Sequence, residues 1–159
     1  MEGDTMSLAP RVEQFLRQKQ VTYQNIEHPY AETAMGCAIA AQVPPKQMAK
    51  GVLLNDDEGF YLALIPADKQ LDITAVNKQT QRLLDLAHEK DARLMFDDCR
   101  SGAIPSLGQA YRIPVVYDDS LTQMPDCYME GGDHEHLLRI DKQTFINMMG
   151  DARHGSIAH

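Results

Sequence analysis

The stretch MAKGVLLNDDEGFYLALIPA, Met48 to Ala67, predicts the centre of the fold. Two apolar runs, residues 52–54 and 60–65, flank an Asp-Asp-Glu-Gly turn, which is the pattern of a β-hairpin with a buried face. Lys50 stands just before the first apolar run, where the strand enters the core. A lone lysine at such a position is most simply explained by an aliphatic stem that covers apolar surface and an ammonium that reaches water. It can also be a fixed cation for an anionic or ester-bearing ligand.

The size and composition of the chain predict a single cytoplasmic domain. With 159 residues it is long enough to bury a core without disulfides. No apolar run approaches the roughly 20 residues of a membrane-spanning helix, and the acidic N-terminus lacks the apolar segment of a signal peptide. The cysteines, Cys37, Cys99 and Cys127, are odd in number and show no CxxC spacing, which favours reduced thiols.

The net charge narrows the range of partners. The chain has 15 Lys and Arg against 23 Asp and Glu, which gives a formal charge of −8. A broad nucleic-acid-binding face needs clustered basic residues, and this composition argues against one. A small pocket that takes only the tip of a nucleic acid remains compatible with the charge.

Helical and strand patterns alternate irregularly on both sides of the hairpin. The predicted helices cover residues 7–19, 33–42, 72–80, 88–96 and 141–149, and the helix N-caps are expected at Ser7, Thr33, Asp72 and Asp141. The further strands are predicted at residues 21–27, 82–87 and 114–119 and in a second hairpin around Gly131-Gly132.

This order of elements predicts an α+β domain with a mixed, largely antiparallel sheet flanked by helices. The regular βαβ rhythm of a doubly wound parallel sheet is missing. We expect residues 1–150 to form one domain. Residues 151–159 lack any clear pattern and are predicted to be a flexible tail.

The longest irregular stretch, residues 97–114, contains three punctuating residues within seven positions: Gly102, Pro105 and Gly108. Such spacing demands a fixed loop shape. Taken alone, the loop is most simply a tight connection. Glycine-rich turns are also places where backbone N–H groups converge on an anion or a developing oxyanion. The sequence SGAIPSLG is neither a phosphate-binding P-loop nor a dinucleotide fingerprint.

No familiar nucleophile or metal motif is evident in the chain. His134 and His136 would lie on one face of a strand, but further ligands at a recognisable spacing are lacking, so no metal is predicted. One histidine lining a pocket is the better interpretation, beside that of a solvated turn. The cysteines have no paired base, and there is no GxSxG elbow. Any hydrolysis would have to depend on positioning and electrostatics, without a cofactor.

Five segments in order carry a resemblance to a known family. They are EHPYAETA (27–34), VPPKQMAKGVLL (43–54), YLALIPADKQLD (61–72), SGAIPSLGQAYRIPVVYDDSL (101–121) and GGDHEHLLRIDKQTF (131–145). With this order and spacing, the chain resembles the YbaK/prolyl-tRNA synthetase-associated domain family of aminoacyl-tRNA deacylases over roughly residues 20–150. The resemblance implies an α+β fold with a mixed, partly barrel-like sheet.

The resemblance also implies an activity and a set of site residues. Members of the family hydrolyse the aminoacyl ester of tRNA that carries the wrong amino acid. The essential lysine of the family falls on Lys50, and its Gly-x-x-x-Pro loop begins at Gly102. The residues implied in substrate binding are His28, Tyr30, Thr33, Ala103, Ile104, Pro105, Ser106, Gly108 and His134.

The implied partner is the acceptor end of an aminoacyl-tRNA, with an aminoacyl-tRNA synthetase as a further candidate and no membrane. Ser106 stands where the family pattern commonly has the second of two prolines. This departure and the net charge of −8 motivate an alternative function. The chain would then be a non-catalytic module that binds a tRNA end, a nucleotide or an amino acid in a regulatory complex.

Overall fold

The computed structural model describes residues 8–159 and contains five α-helices and eight strands in that range. The helices are α1 Pro10–Gln18, α2 Ala34–Ala41, α3 Ile73–Thr80, α4 Glu89–Met95 and α5 Lys142–Met149. The strands are β1 Gln24–Glu27, β2 Met48–Asp56, β3 Gly59–Pro66, β4 Asp85–Leu86, β5 Val115–Asp118, β6 Asp126–Glu130, β7 His136–Asp141 and β8 Arg153–Gly155. Short 3-10 helices lie at Pro45–Gln47, Gly108–Tyr111 and Asp119–Thr122.

All eight strands belong to one mixed sheet in the order β1-β7-β6-β2-β3-β5-β8, with β4 paired to β2. The pairs β1–β7, β6–β7, β2–β3 and β2–β4 are antiparallel. The pairs β2–β6, β3–β5 and β5–β8 are parallel. The sheet is open, with β1 and β8 at its two ends. The predicted α+β domain with a mixed sheet flanked by helices is therefore confirmed.

The hairpin of β2 and β3 forms the middle of this sheet. Strands β2 and β3 pair without interruption from Ala49↔Pro66 to Asp56↔Gly59. The Asp56 carboxylate accepts hydrogen bonds from the N–H groups of Glu58 and Gly59, at 2.9 and 3.1 Å, and so closes the turn. Its ion pair with Arg82, at 2.6 Å, ties the turn to the segment after α3.

Strand β3 is buried on both faces, which explains its continuous apolar sequence. Leu62 and Leu64 pack into the core that includes residues of α1 and α5. Tyr61, Ala63 and Ile65 pack into a second core on the other face, which includes residues of α3. Successive side chains of a strand point to opposite faces, so β3 supplies both cores at once.

Three of the four predicted helix caps are confirmed. The side chains of Thr33, Asp72 and Asp141 each accept a hydrogen bond from the backbone N–H three residues later. Ser7 lies outside the described residues. Helix α1 begins with Pro10 in its first turn, where the missing N–H of proline has no cost.

The expectation of a flexible tail at residues 151–159 is wrong. Strand β8 pairs in parallel with β5, and the Ile157 side chain is fully buried in the core beside α3. The Asp118 carboxylate accepts the Ile157 N–H at 2.9 Å, and an isolated bridge joins Leu71 to Ala158. Residues 151–159 have no apolar periodicity of their own. They are held in place by the burial of Ile157 and by these hydrogen bonds and strand pairings.

The strand predicted at residues 82–87 contracts to the two residues of β4, and β1 is shorter than the predicted 21–27. Both segments lie where the sheet offers few partners: β1 is an end strand, and β4 pairs only with the last residues of β2. The longest helix among residues 8–159 has nine residues, and no helix there has the length and apolar character of a membrane span.

Candidate active site

A cavity of about 230 Å³ opens where the first residues of β2 meet the loops that follow α4 and β6. Five of the predicted site residues line it, namely Thr33, Lys50, Gly102, Ile104 and His134. They come from four separate parts of the chain, so only folding brings them together. The wall is completed by Glu32, Ala34, Met48, Ala49, Gly51 and Glu130.

Lys50 lies in β2 opposite Ile65 and is partly exposed at this cavity. Its ammonium donates a hydrogen bond to the backbone carbonyl of Lys69 at 3.2 Å. An ammonium has three donors, so this bond fixes the position of the charge and leaves capacity for a ligand. Lys50 therefore places a tethered cation at the edge of the cavity that it lines.

The loop that begins at Gly102 is held against β2. Gly102 has φ of +83°, a conformation that glycine adopts without strain. Ser106 is fully buried, and its hydroxyl donates to the Ala49 carbonyl at 3.3 Å. A Cβ on Gly51 would approach the Ile104 side chain to 3.2 Å, so the glycine in β2 permits this close packing. Sequence reasoning missed Gly51, because its role depends on a loop more than fifty residues away.

Two backbone N–H groups of this loop are available at the cavity. The Ala103 N–H donates to the Arg100 carbonyl at 2.9 Å. Among residues 8–159, by contrast, Gly102 and Ile104 make no hydrogen bond, and both line the cavity. Their amides can therefore donate to a bound anion or to a polarised carbonyl oxygen.

His134 is nearly buried and lies in the turn between β6 and β7, with φ of +67°. Its Nε2 is 2.8 Å from the Ser101 carbonyl, which can only accept, so the Nε2–H donates to it. The half-exposed ring of Tyr30 packs edge-on against it, with centroids 5.4 Å apart. His136 instead begins β7 and bonds to Asp133, so the two histidines do not share a strand face.

Glu130, at the end of β6, is the site residue that sequence reasoning overlooked. One carboxylate oxygen accepts the N–H groups of Gly132, Asp133 and His134, at 2.8, 3.0 and 3.0 Å. This bonding shapes the turn and holds His134 at the cavity. A single acidic residue before a Gly-Gly turn carries no sequence signal for such a role.

The cysteine nearest to the cavity is not an activated nucleophile. The thiol of Cys37 donates to the Ala31 carbonyl at 3.4 Å and lies 3.7 Å from the Glu130 carboxylate. Burial and the neighbouring Glu130 charge raise the pKa of Cys37 to about 12. Metal-ligating atoms of Cys37, Glu130 and His134 lie within 4.8 Å of one another, but each side chain already makes hydrogen bonds within the protein.

The remaining predicted site residues do not line the cavity. His28 is buried at the end of β1, where its N–H donates to the Glu135 carbonyl and supports the turn that carries His134. Tyr30 contacts two residues of the cavity wall: its ring packs on His134, and its hydroxyl donates to the Glu32 carboxylate at 3.5 Å. Ala103, Pro105, Ser106 and Gly108 are buried in the loop itself. A Cβ on Gly108 would clash with Val115 at 2.6 Å, so this glycine serves packing.

Residues 28–148 match the family described as the aminoacyl-tRNA editing domain. This match covers most of the chain, which therefore belongs to that family. The search of curated proteins found no significant match.

Solved structures share the fold at low sequence identity. The crystal structure of a hypothetical protein superimposes with a TM-score of 0.83 at 20% identity and covers 94% of this chain and 99% of its own. A protein described as a candidate trans-editing enzyme for prolyl-tRNA synthetase gives 0.81 at 22% identity, with 95% and 96% covered. A candidate signal transduction protein from Marinobacter aquaeolei VT8 gives 0.75 at 20% identity, over 93% of this chain and 30% of its own.

Proposed function

We propose that this protein hydrolyses the ester bond of tRNA charged with a wrong amino acid, with Lys50 and the Gly102 loop as the catalytic groups. The observation that carries the proposal is that one small cavity is lined by Lys50, whose ammonium is tethered, and by Gly102 and Ile104, whose amides make no hydrogen bond among residues 8–159. Membership of the editing-domain family supports the substrate class. Nothing in this arrangement requires a metal or a cofactor.

The proposed reaction needs little activation, because an aminoacyl ester is already reactive. Water adds to the ester carbonyl carbon, and the carbonyl oxygen carries the negative charge of the tetrahedral intermediate. Collapse breaks the bond to the ribose oxygen, which takes up the proton that the water loses. Preorganised donors at the carbonyl oxygen stabilise this intermediate and lower the barrier.

The residues of the cavity fit these roles. The ammonium of Lys50 binds the ester carbonyl or the terminal phosphate, and the amides of Gly102 and Ile104 complete an oxyanion site. The raised pKa of Cys37 leaves its thiol protonated, so this thiol does not serve as the base. We therefore assign activation of the water to the substrate, and the protein supplies orientation.

A cavity of about 230 Å³ is small for a whole nucleotide and suits an aminoacyl group with a short side chain. Only the end of the acceptor strand needs to reach this cavity. Few phosphates of the tRNA then come close to the protein, so the net charge of −8 does not prevent binding. Thr33 and His134 form part of its wall and are the candidates for sensing the amino acid. One methylene more or less in such a pocket changes discrimination by about 1–3 kcal/mol.

The hydrogen bond of Ser106 bears on the non-catalytic alternative. Its hydroxyl anchors the loop to β2, so the loop is held in place without the second proline of the family pattern. This supports a loop shaped for catalysis. A binding module would instead show saturable binding of a tRNA end with no turnover on any aminoacyl-tRNA.

The direct test is a panel of mischarged tRNAs, each incubated with the purified protein and with the Lys50→Ala variant. We expect the protein to release the amino acid from at least one of them and the variant to be severely impaired. Absence of hydrolysis across the panel, or equal activity of the variant, would contradict the proposal.

A further inference from the structure

A second cavity, of about 260 Å³, adjoins the first on the other side of the Gly102 loop. Gly102 and Ile104 line both cavities, so the two cavities are neighbours at this loop. The second cavity lies between α4 and the loop that follows it. Lys50 does not line it.

Two arginines give this cavity a positive charge in an otherwise acidic chain. Arg100 is exposed, and its guanidinium makes no ion pair or hydrogen bond among residues 8–159. Arg93 makes one exposed pair with Glu89 at 3.5 Å. Such surface pairs contribute little and are easily exchanged for another anion. Both guanidinium groups are thus available to a phosphate, which arginine binds through paired N–H donors.

The acidic and thiol groups of the same cavity do not cancel this charge. The Asp97 carboxylate is already bound to Arg11 at 2.8 Å. The pKa of Cys99 is raised to about 12, mainly by burial, so its thiol is neutral. The remaining wall includes the apolar side chains of Phe96 and Ile104.

We propose that this second cavity binds the phosphate that joins the terminal adenosine of the acceptor end to the nucleotide before it. That bridging phosphate lies against Arg100 and Arg93, beside the side chain of Ile104. The aminoacyl ester then lies in the first cavity, across the shared Gly102. The identity of the ligand rests on the proposed function. The cavity and its two arginines do not depend on that proposal.

The test compares binding of adenosine with that of the dinucleotide cytidylyl-3′,5′-adenosine, followed by NMR titration of the full chain. We expect the dinucleotide to bind roughly tenfold more tightly, because it adds charge-assisted hydrogen bonds to its phosphate. Arg100→Gln should remove most of this difference, since only Arg93 then remains at the phosphate, without changing the affinity for adenosine. The salt dependence of dinucleotide binding should also weaken, by about 0.7 in log–log slope for each phosphate that the variant no longer neutralises.

Arg17→Gln is the matched control, since it removes the same charge from an exposed position on α1. Equal affinity for the two ligands, failure of both to bind, or equal effects of Arg17→Gln and Arg100→Gln would overturn the site.

A kinetic arm separates this inference from the proposed function. With adenosine and the dinucleotide both aminoacylated by an amino acid that the protein removes, Arg100→Gln should raise KM for the dinucleotide ester about tenfold and leave kcat unchanged. An equal loss with both esters would place Arg100 in the chemistry and contradict the site. If neither ester nor any tRNA is hydrolysed, the proposed function fails, and the NMR titration decides the phosphate site alone.

Discussion

The β2–β3 hairpin and the turn at residues 131–135 are both largely shielded from water, but different forces hold them. The hairpin is fixed by apolar side chains packed on both faces of β3, and hydrogen bonds of the Asp56 carboxylate close its turn. The turn is fixed by one carboxylate, Glu130, which accepts three backbone N–H groups. Apolar burial thus supplies stability to the fold, and a few hydrogen bonds set the geometry at the cavity. The two regions should respond differently to substitution.

The largest effect on stability is expected from Leu62→Ala in the centre of β3. Leu62 is fully buried, and its truncation leaves a cavity in the core. The free energy of unfolding should fall by about 2–5 kcal/mol, as measured by urea denaturation. Leu83→Ala, at a position that is 87% exposed, is the matched control and should change little. Equal losses at the two positions would contradict the apolar account of the hairpin.

Glu130→Gln should affect stability less and the site more. The substitution keeps the shape of the side chain but replaces a charged acceptor of three N–H groups with a neutral amide. We expect a loss of about 1–3 kcal/mol in the free energy of unfolding. Displacement of His134 should slow deacylation by roughly ten- to a hundredfold.

Glu135→Gln removes a charge from the same turn and is the control, since the Glu135 bonds in the structure use only its backbone N–H and carbonyl groups. If both variants lose activity equally, the charge of the turn matters and the Glu130 bonding does not.

Asp56→Asn tests how much a polar group contributes to the stability of the hairpin, because it removes the charge of the carboxylate in its turn. The hydrogen bonds of Arg82, with those of the turn, hold the pKa of Asp56 well below its ordinary value of 3.8. A lowered pKa in the folded state contributes stability above the ordinary pKa, and that contribution is lost as the pH falls toward the folded value.

The free energy of unfolding of wild type should therefore exceed that of Asp56→Asn at neutral pH, and the gap should shrink below about pH 4. Urea denaturation over this range measures the gap, and deacylation should be unchanged. A gap independent of pH would contradict the role of the carboxylate charge.

The hairpin and three helix caps could be predicted because their signals are local. Apolar runs on either side of a turn, and a Thr or Asp before a helical pattern, act within a few residues of themselves. The strand β8 could not be predicted, since its two polar residues and one glycine show no strand pattern, and its pairing with β5 and the stacking of His154 on Tyr117 exist only in the folded chain. The burial of Ile157 depends on α3 and on the sheet, which a local pattern does not encode.

The candidate site divides in the same way. Lys50, Gly102 and His134 were predicted on residue type and family resemblance, and the structure brings all three to one cavity. Glu130 and Gly51 were missed, because each acts on backbone that only the folded chain places beside it. His28 lies behind the turn and does not line the cavity, since the order of residues in a loop does not reveal which side chain turns inward.

The most direct test of the account is the single-turnover rate on one mischarged tRNA that the panel identifies, measured for Lys50→Ala and for Lys46→Ala. Lys46 is exposed on the 3-10 helix before β2, so its variant makes the same chemical change outside the cavity. We predict a loss of about 100- to 1,000-fold for Lys50→Ala, as for removal of one oxyanion donor, and an unchanged rate for Lys46→Ala. A folded Lys50→Ala protein that hydrolyses this tRNA at the wild-type rate would contradict the central claim.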